Sequence, residues 1–185
     1  AAPLINVPGS WNYQYPSYLI YEGTIWYRKK FDYSKKEANN RVFLHFGAVN
    51  YEADVYLNGR KLGKHVGGFT PFNFEITEFL KEKGNSLVVK VDNKRKQDAV
   101  PTVNTDWFNY GGITREVTLV EEPATFIRDY MIQLKKGSMN EVEGFVQLDG
   151  AQSSQNVQVE IPELNVRQTV QTDANGLAAL QFKLN

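Results

Sequence analysis

A chain of 185 residues has room for one large domain, or for one domain and part of another. With 42% hydrophobic and 23% charged residues, a disordered chain is excluded. Lys plus Arg and Asp plus Glu number 21 each, so the formal net charge is zero and nucleic acid is not an expected partner. The absence of cysteine rules out disulfides and thiolate chemistry. The two histidines, His45 and His65, are too few for a histidine-rich metal site, and neither a metal nor a cofactor is expected. No apolar run reaches the length that a membrane helix needs, so no membrane partner is expected. Composition leaves the compartment open. A periplasmic or secreted location is preferred to a cytoplasmic one, with any signal peptide removed before this numbering starts.

Taken in chain order, the pattern is one of short alternating runs split by turns, which predicts an all-β chain. Thr24 to Phe31 reads as a first strand, with a bend or bulge expected near Phe31. Asp32 to Asn40 is a polar loop. Arg41 to Phe46 follows, with Val42, Leu44 and Phe46 on one face and Phe43 and His45 on the other. Ala53 to Leu57 runs into Asn58-Gly59, the strongest local hairpin signal, because a type I′ turn needs positive φ at both central residues. Gly67 to Ile76 enters another strand, and Pro71, which has no amide donor, belongs at a strand start, an edge or a bulge. Thr77 to Lys81 reads as one helical turn capped by Thr77. Ser86 to Asp92 is a strand with Leu87, Val89 and Val91 on one face.

From Asn93 to Gly112 the alternation stops. A segment this long without regular structure is usually functional or disordered, and Trp107, Phe108 and Tyr110 argue against disorder. Its basic run, Lys94-Arg95-Lys96, reads as a solvated turn. Ile113 to Val120 resumes a strand, and Glu121-Glu122-Pro123 is a boundary. Thr125 to Lys135, Asn140 to Asp149, Gln155 to Ile161, Arg167 to Thr172 and Gly176 to Leu184 are further strands. Phe145, Val157, Val159, Leu180 and Phe182 among them need a partner sheet. The expected domains are therefore 1–122 and 123–185, the second reading as incomplete.

No zinc-protease helix, phosphate loop or nucleophile elbow is present. Hydrolysis of a glycoside needs two carboxyl groups across the sugar, and Asp92, Asp98 and Asp106 are the acids worth naming. No catalytic residue is assigned. Asp106 stands beside Trp107, and a carboxylate next to a ring suits a sugar: the acid accepts from hydroxyls and the ring covers a C–H face. Asp106 as a plain turn acceptor is the competing reading.

Four stretches in order resemble the amino-terminal region of glycoside hydrolase family 2, which includes β-galactosidases, β-glucuronidases and β-mannosidases. They are Ile5-Asn6-Val7-Pro8-Gly9-Ser10-Trp11-Asn12, Gly23 to Phe31, Leu44 to Phe72 with its Asn58-Gly59 and Gly67-Gly68, and Asp106-Trp107-Phe108-Asn109-Tyr110-Gly111-Gly112-Ile113-Thr114-Arg115. The resemblance implies a jelly-roll (galactose-binding-domain-like) β-sandwich followed by a partial immunoglobulin-like β-sandwich. It implies a following TIM barrel that carries two catalytic glutamates of a retaining mechanism, and no such barrel is in this chain. It implies that Asp106 and Trp107 contact a terminal β-linked sugar in the intact enzyme while Asn109 and Tyr110 hold the loop.

Fewer residues precede Asn6 than the family usually has. Both ends read as cut, and an exposed edge there would allow a homo-oligomer. The resemblance also assigns Trp26, Phe43, Phe46, Leu57, Phe74, Leu87, Val89 and Leu119 to the core, with Trp11 packed and both histidines structural. Three functions stand in order. The first is the noncatalytic amino-terminal portion of a retaining exo-β-glycosidase of the β-galactosidase or β-glucuronidase type. The second is a stand-alone carbohydrate-binding module, and the third is an assembly module.

Overall fold

The computed structural model describes residues 3–151 and 153–184; residues 1, 2, 152 and 185, which the expected domain ranges include, lie outside the described residues. The chain divides into two compact units, Ala1–Glu121 and Glu122–Asn185.

In the first unit two short 3-10 helices, Trp11–Tyr13 and Pro16–Tyr18, precede the strands. The strands are β1 (Thr24–Phe31), β2 (Arg41–Phe46), β3 (Val49–Asn50), β4 (Glu52–Leu57), β5 (Arg60–Val66), β6 (Phe72–Glu75), β7 (Asn85–Asp92), β8 (Gly112–Ile113) and β9 (Val117–Glu122). They form a four-stranded sheet in the order β1-β7-β4-β5, a three-stranded sheet β6-β2-β9, and a short β3-β8 pair. Alternation drives the packing. Ala53, Val55 and Leu57 of β4 and Leu87, Val89 and Val91 of β7 point inward from the larger sheet. Val42, Leu44 and Phe46 of β2 join them in one core with Trp11 and Ile76. Each such side chain contributes roughly 1.5–3 kcal/mol on burial. The result is the all-β packing that the alternation predicts and the jelly-roll β-sandwich that the resemblance implies. Asn58 and Gly59 take φ of 52° and 85°, the pair of positive values that a type I′ turn requires.

The second unit contains β10 (Phe126–Leu134), β11 (Glu141–Asp149), β12 (Asn156–Ile161), β13 (Val166–Gln171) and β14 (Leu177–Lys183). The sheet β10-β11-β14 and the ribbon β12-β13 form a smaller immunoglobulin-like sandwich. Val146, Leu148 and Leu180 from the sheet meet Val157 and Val159 from the ribbon.

Several details differ from expectation. β1 carries no bulge: its pairing with β7 runs without a shift from Thr24–Asp92 to Phe31–Asn85. Phe31 shares parity with Ile25 and Tyr27, so unbroken alternation already turns it inward. Residues 113–120 are not one strand. Gly112–Ile113 pairs with β3, then the amides of Thr114 and Arg115 both donate to the Ala48 carbonyl, and the chain leaves for the other sheet as β9. Thr77 does not cap a helix. The turn is closed by Phe79 and Leu80 amides on the Ile76 carbonyl, while the Thr77 hydroxyl accepts from the Val42 amide. Phe145 lies on the face of β11 opposite Val142, Val146 and Leu148 and is only half-buried. Trp26 is no core residue: 58% of its surface is exposed, on the outer face of β1.

Candidate functional site

The long irregular segment is a braced loop, and it begins and ends on one pair of asparagines. Asn93, directly after β7, is buried. Its backbone amide donates to the Gly23 carbonyl at 3.1 Å, and its Oδ1 accepts from the Gly23 amide at 2.8 Å. Asn93 Nδ2 donates to the Asn109 carbonyl at 3.1 Å, and Asn109 Nδ2 returns a bond to the Asn93 carbonyl at 2.6 Å. This reciprocal pair closes the loop at its base.

Arg95 shapes the middle. Its Nε donates to Glu22 at 3.0 Å, while Nη1 and Nη2 each donate at 3.0 Å to the carbonyls of Thr105 and Trp107. One planar guanidinium therefore holds the two carbonyls nearest to Asp106 on either side, a use that suits its fixed fork of donors. The neighbouring Lys96 pairs with Glu52. Lys94-Arg95-Lys96 is thus not a merely solvated turn; two of its three cations are committed to carboxylates and loop backbone. Burial raises the Glu52 carboxyl, but Lys64 and Lys96 outweigh it and hold the group below its ordinary value.

The far end of the loop is fixed to the start of the chain. The Gly111 amide donates to Asn12 Oδ1 at 2.8 Å, and the Trp11 amide donates to the Gly111 carbonyl at 3.0 Å. A Cβ on Gly111 would lie 2.1 Å from the Trp11 ring, so only glycine fits. Asn50 donates from its side-chain amide to the Tyr110 carbonyl. The Tyr110 and Tyr13 hydroxyls are hydrogen-bonded to each other, and that bond, with burial, raises the Tyr13 phenol. The rings of Phe108 and Tyr110 lie 4.7 Å apart and those of Tyr13 and Tyr110 5.1 Å apart.

Against this wall opens a cavity of about 630 Å³. Trp107, Phe108, Asn109 and Tyr110 line it from the loop, together with Phe69 and Arg115, whose guanidinium donates to the Phe69 carbonyl at 3.4 Å. Trp107 is 75% exposed, so one ring face is free to cover an apolar ligand surface. Asp106 does not line the cavity. Its carboxylate is exposed and makes no hydrogen bond or ion pair among the described residues. Asp92, the acid at the end of β7, is occupied differently. Burial raises its carboxyl, but the Lys94 amide and the Thr24 hydroxyl, with nearby lysine charge, bring it below its ordinary value. Its two oxygens are committed to those donors at 2.9 Å and 2.8 Å. Among the described residues no group of His, Asp and Glu is gathered to hold a metal ion.

Of the residues named from the sequence, Trp107, Asn109 and Tyr110 meet at one cavity, and Asp106 stands at the tip of the same loop outside it. Nothing in the sequence marks the bracing roles of Arg95, Asn93, Asn50 and Asn12, because most of their partners are backbone groups distant in sequence, which leave no motif.

Comparison with known proteins adds a family. The profile described as "Glycosyl hydrolases family 2, sugar binding domain" matches residues 2–123. A β-glucuronidase of Formosa agariphila is 41% identical over 106 residues, which is 54% of this chain and 11% of that protein. A β-galactosidase of Thermoanaerobacter pseudethanolicus is 37% identical over 119 residues, 63% of this chain and 16% of that protein. The solved structure of a Bifidobacterium dentium β-glucuronidase with coumarin-3-O-glucuronide superposes over 100% of this chain and 38% of its own, with TM-score 0.84 and 26% identity. The chain spans less than a fifth of the length of the relatives it matches in sequence.

Proposed function

The chain belongs to glycosyl hydrolase family 2, in the region of its sugar-binding domain, and from that premise we propose that it is the noncatalytic amino-terminal portion of a retaining exo-β-glycosidase of the β-glucuronidase or β-galactosidase type. The bond-breaking carboxyl groups belong to a barrel outside these 185 residues. This chain supplies one wall of the sugar site. Asp106 accepts hydrogen bonds from hydroxyls of the terminal sugar, Trp107 covers one of its C–H faces, and Asn109 and Tyr110 keep the loop in place.

The observation that carries the proposal is the brace. A loop whose Asp106 carboxylate has no partner among the described residues is held at both ends by Asn93–Asn109 and Asn12–Gly111, and in the middle by Arg95. Fixing an unpaired carboxylate on a rigid support is useful when the partner is a ligand. The test uses the complete gene product and this chain side by side. On nitrophenyl β-glycosides the chain alone is inactive. In the complete protein Asp106→Ala lowers kcat/KM by roughly 10- to 100-fold, the range for losing a hydrogen bond to a charged group. Hydrolysis by the isolated chain that Asp106→Ala abolishes would overturn the assignment.

A further inference from the structure

We infer that the outer face of the β1-β7-β4-β5 sheet is a second carbohydrate site, a platform for an anionic polysaccharide, separate from the Asp106 loop. Strand pairing defines it. Trp26, Lys90, Asp54 and Lys64 form one row across the sheet, and Arg28, Val88, Tyr56 and Lys61 form the next. All point away from the core, because their neighbours Ala53, Val55, Val89 and Val91 point into it.

Two features mark this face. Trp26 is 58% exposed, and its ring lies 6.2 Å from that of the half-buried Tyr56 at a tilt of 31°, with the Lys61 ammonium 5.9 Å from the Tyr56 ring centre. Such a pair adds a little to sheet stability, and its solvent-facing surface has the shape that covers the C–H face of a sugar ring. The charge around it is also unbalanced. Asp54 is shared by Lys61 at 2.6 Å and Lys90 at 3.9 Å, and Glu52 by Lys64 and Lys96. Arg28 and Lys30, which follow Trp26 on the same face of β1, are exposed and have no carboxylate partner among the described residues. A neutral protein therefore presents, on one face, an aromatic pair beside surplus cations.

The ligand that matches both halves is a glycan that carries carboxylate or sulfate groups. A sugar ring lies over Trp26 and Tyr56, and its anionic substituent, or that of the next residue, reaches Arg28 and Lys30. A single-stranded nucleic acid also stacks and pairs with cations, but its sites combine a continuous basic groove with rings for successive bases, whereas this face offers one ring pair and two unpaired cations among the described residues. The platform does not depend on the role given to the loop.

The test is affinity electrophoresis of the 185-residue chain in gels that contain polygalacturonate, dextran sulfate or neutral dextran, at low salt and at high salt. The expected result is retardation by one or both anionic polymers, none by dextran, and release by salt. Retardation by polygalacturonate alone assigns the cations to uronate carboxylates; retardation by dextran sulfate assigns them to sulfate. Trp26→Ala and, separately, Arg28→Ser with Lys30→Ser each weaken binding on the order of tenfold. All three positions are exposed, so the fold is kept. Trp107→Ala binds as the parent does, which separates this site from the loop. No retardation in either anionic gel, equal retardation in dextran, full binding by both platform variants, loss of binding in Trp107→Ala, or stronger binding of oligo-dT than of either glycan overturns the inference.

Discussion

Arg95 is the residue on which the loop depends most. Its two donors to Thr105 and Trp107 are charge-assisted, and each such bond contributes about 1.5–3 kcal/mol. Arg95→Ala keeps the sandwich folded, since neither Arg95 nor its partners Glu22, Thr105 and Trp107 belong to the hydrophobic core, and releases the backbone around Asp106. Amide exchange across residues 105–108 then accelerates on the order of tenfold or more, with the sheets unchanged. Arg95→Lys does not restore protection, because a single ammonium cannot span both carbonyls and Glu22. Protection that survives in the alanine variant would show that the brace is ornamental. Two glycines give a second test of local causes. Gly59 has φ of 85° and open space where a Cβ would stand, so Gly59→Ala is a purely conformational change and costs about 1 kcal/mol. At Gly111 a Cβ would strike the buried Trp11 ring and the Asn93 amide, so Gly111→Ala costs about 1–3 kcal/mol and also displaces the loop. Chemical denaturation gives both costs, and only the Gly111 variant also shows faster exchange at residues 105–108.

The loop between β1 and β2 is organised by a carboxylate from another strand. Glu121 of β9 accepts from the Tyr33 hydroxyl at 2.6 Å, Asn40 Nδ2 at 2.9 Å and the Lys36 and Glu37 amides at 2.7 and 3.3 Å. The Tyr33 bond, working against desolvation and helped by the Asn40, Lys36 and Glu37 bonds, holds the Glu121 carboxyl at about 2. The same bond raises the Tyr33 phenol to about 12. A depressed folded-state value means that Glu121 contributes stability in full above its ordinary value of 4.5 and loses it as pH falls toward 2. The raised Tyr33 acts in the opposite direction: its contribution is complete below 10.0 and is lost as pH climbs toward 12. Glu121→Gln therefore lowers Tm at neutral pH, and the gap between variant and parent narrows from pH 4.5 toward pH 2. A gap that stays constant across that range would sink the assignment. None of this was visible in the polar run from Asp32 to Asn40, since its partner lies some 80 residues away. What could be read were features with local causes. Alternation marked β2, β4, β7 and the strands of the second unit, and Asn58-Gly59 marked its hairpin. Trp26 lies outside the core to which the resemblance assigns it; alternation says only that two faces exist, and which one meets the other sheet depends on pairing between β1, β7 and β4. The loop followed the same rule. The Asp106-Trp107-Phe108-Asn109-Tyr110 motif marked its wall, but the Arg95 brace joins a basic side chain to backbone carbonyls, which every residue type carries.

For the whole molecule the question is how much of a sugar site one wall can make. The cavity beside the loop is open, and Trp107 keeps three-quarters of its surface in solvent. Tight small-ligand sites enclose about 70–90% of their ligand's surface, and the surplus over lost translational freedom comes from that enclosure. A monosaccharide resting on Trp107 and bonded by Asp106 would leave its far side in water. One stacked ring and one charge-assisted hydrogen bond supply only a few kcal/mol, which the entropy of association largely offsets. Calorimetric titration of this chain with glucuronate, galactose or mannose is accordingly flat to at least about 1 mM, where binding free energy is about −4 kcal/mol. A monosaccharide Kd well below that, abolished by Trp107→Ala, would make the chain a stand-alone carbohydrate-binding module. A polymer on the outer sheet face faces no such penalty, because successive residues share one loss of translational freedom. The two surfaces are thus expected to differ in kind. The loop contributes only when another wall closes over it, whereas the Trp26 platform works in the chain as it stands, and comparing monosaccharide with polymer on the same sample measures that difference directly.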